Sequence, residues 1–181
     1  MRTSCMLTIL WISISSLASA DESTVQKYLD MSAGGQTPDT TVLRGFPAVF
    51  ENLDGEDLAS RIEDAYAESI YFNDTLVVIT ERPVLIDYLL KSGERTNFVN
   101  TKILDVAQSG EDVYVRWQLQ MSFDVMGAER RSDTVGMTHL RFDDSGKITL
   151  HQDFWDSASG FYQVLPVVGR LITWVRGRLH P

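Results

Sequence analysis

Two side chains near the end of the chain hold most of its chemical potential. In Ile148-Thr-Leu-His-Gln-Asp-Phe-Trp155, His151 and Asp153 stand two residues apart. If this run is a strand, its period of two sends both to one face, with Cβ atoms about 7 Å apart. An imidazole and a carboxylate so placed could serve as general acid and base, the carboxylate orienting the ring. The same pair could equally satisfy each other in a structural network.

The element that must position them is a hairpin. Val135–Phe142 and Lys147–Asp156 flank Asp143-Asp-Ser-Gly146. Gly146 can adopt the positive φ that such a turn needs. Strict alternation puts Ile148, Leu150, Gln152, Phe154 and Asp156 on one face. Thr149, His151, Asp153 and Trp155 fall on the other. On the preceding strand, His139 and Arg141 share a face and, depending on register, lie near Lys147, Thr149 or His151. Arg141 could bind a ligand carboxylate or pair with Asp153. A zinc site from His139, His151 and Asp153 is conceivable chemically, but nothing in the spacing demands it, and no metal and no cofactor is expected.

Upstream, Val42, Leu43, Phe46, Val49 and Phe50 have helical spacing, with Asp39 or Thr40 as cap and Pro47 as a kink. Gly55-Glu-Asp57 opens a second helix with Leu58, Ile62 and Ala65 on one face. Tyr66–Phe72 reads as a strand ended by Asn73-Asp74. Pro83 suits the first turn of a third helix whose stripe is Val84, Leu85, Tyr88 and Leu89, with Gly93 as its cap. Strands follow: Phe98–Ala107, a turn at Ser109-Gly110-Glu111, then Asp112–Phe123. In the last, Val113, Val115, Trp117, Leu119, Met121 and Phe123 face one way. A Gly127–Arg131 turn leads into the hairpin. Helices first and consecutive antiparallel strands afterwards make an α+β layout, helices packed on one side of a curved sheet.

Composition narrows the function. The 181 residues carry a formal charge of −9, which argues against nucleic acid as a partner, since phosphate binding needs clustered Lys and Arg. Residues 1–20 read as a signal peptide: Arg2, an apolar Met6–Leu17, and Ala18-Ser19-Ala20 as cleavage site. The alternative is a membrane anchor, for which the apolar run is short of the roughly 20 residues that span a bilayer. Cleavage removes Arg2 and no acid, so the mature chain is one charge more negative. It also removes Cys5, the only cysteine, and with it any disulfide or thiolate chemistry. A periplasmic or secreted location follows. Residues 21–38 read as a leader, with a short helix around Val25–Met31, and residues 39–159 as the domain.

The order of elements, with Tyr66-Ala-Glu-Ser-Ile-Tyr-Phe-Asn-Asp74, Val115-Arg-Trp-Gln118, Gly136-Met-Thr-His-Leu-Arg-Phe142 and His151-Gln-Asp-Phe-Trp-Asp156, resembles the NTF2-like superfamily. Within it the chain is similar to the SnoaL-like, polyketide-cyclase-like group, over roughly Thr41–Ser159. The resemblance implies a cone: a strongly bent sheet wrapped around helices, with a deep apolar pocket at its open end. Relatives use that pocket for isomerisation, cyclisation, dehydration or epoxide opening, or for binding alone, so fold does not fix function. No motif here matches the carboxylate, Tyr and protonated Asp of steroid-isomerase relatives, and that mechanism is not carried over.

On this basis the pocket takes a small apolar molecule. His151 and Asp153 are the acid/base pair, and Arg141 or Tyr71 polarises an oxygen. Tyr71, Asp74 and Tyr88 rim the pocket, Trp117 and Trp155 wall it, and His139 and Arg141 complete the ligand set. Asp74 could instead close an Asx turn. Arg116 could lie on a homodimer face or pair inward with Asp153 or Asp156. A non-catalytic module binding a ligand or a protein is the alternative reading. The tail, residues 160–181, alternates Phe161, Leu165, Val168, Leu171, Ile172 and Val175 with Arg170, Arg176 and Arg178 around Trp174. It could dock on its own domain or a dimer mate, cover the pocket, or lie on an anionic membrane surface.

Overall fold

The computed structural model describes residues 19–33, 39–51, 53 and 55–179. Residues 1–18, nearly all of the expected signal peptide, lie outside them. Helix α1 (Ser19–Met31) occupies most of the expected leader and is longer than the short helix anticipated there. Its Tyr28 hydroxyl accepts a hydrogen bond from Arg116 at 2.7 Å, and the guanidinium also lies over the Tyr28 ring. Arg116 therefore pairs with α1 and not with Asp153 or Asp156.

The single helix expected around Val42–Phe50 is two pieces. A 3-10 turn (Thr41–Leu43) is followed, after a break at Arg44 with φ of 50°, by α2 (Phe46–Phe50). Pro47 starts α2 instead of kinking it, because its missing N–H is no loss in a first turn. Helix α3 (Leu58–Ala65) buries Leu58, Ile62 and Ala65 as its spacing requires. The chain passes from α3 into strand β1 (Tyr66–Asn73) with no loop, which turns Tyr66 into the core. After a short β2 (Val78–Glu81), helix α4 (Arg82–Glu94) begins on Pro83 and buries Leu85 and Leu89. Val84 is exposed. Gly93 is not the cap; it lies within the last turn, where an added Cβ would stand 2.5 Å from the Leu53 carbonyl oxygen.

Four strands complete the sheet: β3 (Thr96–Ser109), β4 (Asp112–Val125), β5 (Ala128–Phe142) and β6 (Ile148–Trp155). Their order is β2-β1-β6-β5-β4-β3. All neighbours are antiparallel except β1 and β6, which run parallel. The first and last strands thus meet side by side, and the sheet is mixed. The β4–β5 turn is Met126-Gly127, both at positive φ, tighter and earlier than the expected Gly127–Arg131. The inner face of the sheet packs on α2, α3 and α4, through Val113, Val115, Leu140 and Ile148 against Phe46, Val49, Ile62 and Leu85. This is the α+β layout read from the residues and the cone that the family resemblance implied.

One irregularity decides what the last strand presents. Phe142 pairs with Ile148, but Arg141 pairs with Leu150, so β6 holds one residue more than β5 at that point. Such a bulge flips the alternation beyond it. Ile148 and His151 therefore both point inward, at 0% and 1% exposure, where strict alternation would put them on opposite faces.

Candidate active site

The cone encloses a cavity of about 710 Å³, walled by Phe46, Phe50, Phe72, Trp117, Leu119 and Trp155, among others. His151 lies at its inner wall, with the rings of Phe72, Phe50 and Phe46 centred 4.6, 5.3 and 5.8 Å away. The rings arrive from two elements: β1 supplies Phe72, and α2 supplies Phe46 and Phe50. Trp117 can lie flat here only because β5 has Gly136 opposite it. A Cβ at Gly136 would stand 2.4 Å from the indole, closer than any packed carbon can come.

Polar groups run through this apolar wall in one chain. Tyr66 Oη and His151 Nδ1 are 2.8 Å apart. His151 Nε2 and Asp153 Oδ1 are 3.0 Å apart. Thr138 Oγ1 donates to the same Oδ1 at 2.5 Å, and Trp117 Nε1 donates to Thr138 at 2.8 Å. The proton positions follow from the donor inventory. An indole N–H only donates, so Thr138 accepts from Trp117 and spends its own proton on Asp153. Burial, and then the charge of Asp153, pushes the Tyr66 phenol well above its ordinary pKa. Tyr66 keeps its proton and gives it to Nδ1, which leaves Nε2–H to donate to Asp153. Every donor in the chain points toward the carboxylate. Asp153 Oδ1 receives two hydrogen bonds, and no donor among the described residues reaches Oδ2. The side chain is 13% exposed, on the cavity.

A second polar group sits at the rim. Asp74 Oδ1 accepts from the Leu76 and Val77 amides, each at 2.9 Å. Its Oδ2 accepts from the Tyr88 hydroxyl. Burial, and then this hydrogen bond to Asp74, raises the Tyr88 pKa far above its usual value, so the phenol stays neutral. The Asp74 carbonyl accepts from Trp155 Nε1 at 2.8 Å. Asp74 thus closes an Asx turn and holds Tyr88 on the cavity at the same time.

The structure brings His151, Asp153, Asp74, Tyr88, Trp117 and Trp155 together around one cavity. It does not bring the other three expected residues there. Tyr71 is 40% exposed on the outer face, bonded to Gln152 and Asn73, because Phe72 takes the inward position beside it. His139 and Arg141 also face outward. His139 Nε2 lies 2.6 Å from Asp112 Oδ1, and Arg141 grips both Asp112 oxygens. The Arg141–Asp153 pairing does not form, and Arg141 and Tyr71 cannot polarise an oxygen in the cavity. The bulge is the reason. Regular pairing continued from Phe142–Ile148 would set His151 opposite His139, but the extra residue sets it opposite Leu140. The three-ligand metal arrangement fails likewise, its histidines standing on opposite faces.

Sequence reasoning missed Tyr66, Thr138 and the three phenylalanines. Thr138 alone had a signal, since counting from the Asp143–Gly146 turn with one bulge puts it opposite Asp153. Tyr66 and the phenylalanines reach His151 only through tertiary packing.

The comparisons bear on the fold and the family. The chain matches solved structures at the level of fold, among them the following. A protein from Shewanella putrefaciens assigned as a SnoaL-like polyketide cyclase is 18% identical, with a TM-score of 0.56, covering 68% of this chain and 94% of that one. A protein of ketosteroid isomerase-like fold from Catenulispora acidiphila, solved with trimethylamine, is 19% identical at a TM-score of 0.55, covering 72% and 96%. An LEH-like epoxide hydrolase from M. tuberculosis is 20% identical at a TM-score of 0.52, covering 78% and 96%. No curated protein matches the chain. The family model of the SnoaL-like domain matches residues 46–151, more than half of the sequence. That match makes the chain a member of the SnoaL-like domain family, with the NTF2-like cone as the fold it shares with these solved structures.

Proposed function

We propose that the cavity binds a small, largely apolar molecule and that Asp153 acts on it as a base. The observation that carries this reading is the divided carboxylate: Oδ1 is fixed by His151 and Thr138, no donor among the described residues reaches Oδ2, and Asp153 lines a cavity walled by aromatic rings. A carboxylate held this way needs little reorganisation to take a proton. The reactions that fit are proton transfer next to a carbonyl, as in isomerisation or cyclisation, and activation of water for ring opening. His151 is then a positioning residue. It is buried and both ring nitrogens are engaged, so it orients Asp153 instead of being oriented by it. Tyr88, a neutral phenol at the rim, meets the polar end of the ligand.

The test uses Nile red as a neutral probe of the cavity. A panel of cyclic ketones and epoxides is then followed by deuterium uptake from heavy water or by oxygen exchange from labelled water. Asp153→Asn should lower turnover by about 10²- to 10⁴-fold, the usual worth of a positioned base, with Nile red affinity changed less than about threefold. Dye uptake without turnover in either protein would assign the cavity to carriage of a ligand alone. Absence of both would overturn the reading.

A further inference from the structure

After a short helix α5 (Ser157–Gly160), helix α6 (Val168–Leu179) is held to the domain through Gly169 and Arg176. Arg176 donates to Asp156 Oδ2 and Gln163 Oε1, both at 2.8 Å. Gly169 is buried against the Gln163 backbone, close enough that a Cβ would clash with its carbonyl oxygen. Upstream, Phe161 packs on Phe123, ring centres 5.8 Å apart, and lines the cavity. The stem is thus anchored through the side of α6 that carries Gly169 and Arg176.

The side adjoining that anchor is apolar. Val168, Leu171, Val175 and Leu179 recur at spacings of three and four, the pattern of one helix side, and are 40–77% exposed. Trp174 is exposed beside them, with the Arg178 guanidinium 4.2 Å above its ring. Arg170 and Arg178 make no ion pair among the described residues. The segment from Gly160 to Leu179 contains three arginines and no carboxylate, in a chain of net charge −9. Charge is therefore segregated, and α6 is the part of the surface that an anionic partner attracts while the acidic remainder is turned away from it.

We propose that α6 is a membrane-docking element, seating its Val168–Leu171–Val175–Leu179 row in a lipid surface rich in anionic headgroups, with Arg170 and Arg178 at the headgroup level. An apolar row edged by arginines, with an indole at the boundary, is the composition of an interfacial helix. Twelve residues span only about 18 Å, well short of the roughly 30 Å hydrocarbon core. The helix lies on the membrane and does not cross it. This inference does not depend on the reaction assigned to Asp153.

The experiment is co-sedimentation of the full chain with phosphatidylcholine vesicles, with and without phosphatidylglycerol. Variants differ only in α6, so any contribution from the apolar N-terminal residues is common to all. The expected result is binding that rises with phosphatidylglycerol, with a blue shift in emission that disappears in Trp174→Phe. Arg170→Glu with Arg178→Glu should weaken that binding by about 30-fold or more, given the usual attraction per basic residue at an anionic surface. Leu171→Ser with Val175→Ser should weaken it as well, with circular dichroism unchanged for both pairs. Equal binding by all variants, or equal binding to vesicles lacking phosphatidylglycerol, would overturn the proposal. So would a lipid-free dimer dissolved by the same substitutions, which would give this face to a second copy of the chain.

Discussion

The two faces of the β5–β6 hairpin hold nearly the same side chains and do opposite things with them. Inside, His151 and Asp153 meet in an aromatic wall. Outside, His139 meets Asp112, and Arg141 joins them. His151 is 1% exposed, whereas the His139 and Arg141 side chains are 21% and 49% exposed. The inner carboxylate is bonded to His151 and Thr138 through one oxygen, and no donor among the described residues reaches the second. The outer carboxylate has a guanidinium across both, and the Arg141 and His139 hydrogen bonds bring its pKa down to about 2. A base neutralised in that way is a poor proton acceptor near neutrality. What separates a site from a surface ion pair here is the partner set and the solvent, not the residue types.

This contrast can be broken by substitution. His151→Ala should cost about 3–5 kcal/mol of stability, since it leaves a hole in the core and strips the buried Tyr66 hydroxyl of its acceptor. His139→Ala should leave the thermal midpoint almost unmoved, as expected of a solvated pair. Equal effects in denaturant unfolding would erase the distinction between the faces. Thr138→Val keeps the shape but leaves the Trp117 N–H without its acceptor and takes one donor from Asp153. About 1–3 kcal/mol should be lost, and turnover should fall while Nile red uptake persists.

The smallest effect concerns pH. Asp112 has a folded pKa below its ordinary value of 3.8, so its stabilising contribution is full above about pH 4 and is lost as pH falls toward 2. Arg141→Met should therefore flatten that part of the stability curve. An unchanged acid limb in a urea titration at successive pH values would show that the outer cluster contributes nothing.

Several elements were legible in the chain. The hairpin turn announces itself through Asp143–Gly146, α3 through Leu58, Ile62 and Ala65, and β4 through its six alternating apolar residues. The first half of β5 was not, because Ala128–Thr134 alternates with Ser132 and Thr134 as its buried side chains, and charged neighbours between them read as a turn. Strand β2 is four residues with one buried side chain, too little pattern to recognise. His151, Asp153, Asp74, Tyr88, Trp117 and Trp155 could be named in advance because polar or aromatic residues at strand ends and on one strand face are few. Tyr71 was placed on the cavity by the family resemblance, and β1 turns it outward between Ile70 and Phe72; His139 and Arg141 were placed there by a register with His151 that the extra residue in β6 shifts.

Period and composition are local properties, and they were enough to decide that helices precede a curved sheet, that the pair two apart in β6 shares a face, and that the tail is basic and amphipathic. Which face of that strand looks inward is not local. It depends on one extra residue between Arg141 and His151, whose cost is offset only when Tyr66, Phe72 and α2 close over the imidazole. The folded packing selected that register, because a one-residue slip exchanges every buried side chain for an exposed one.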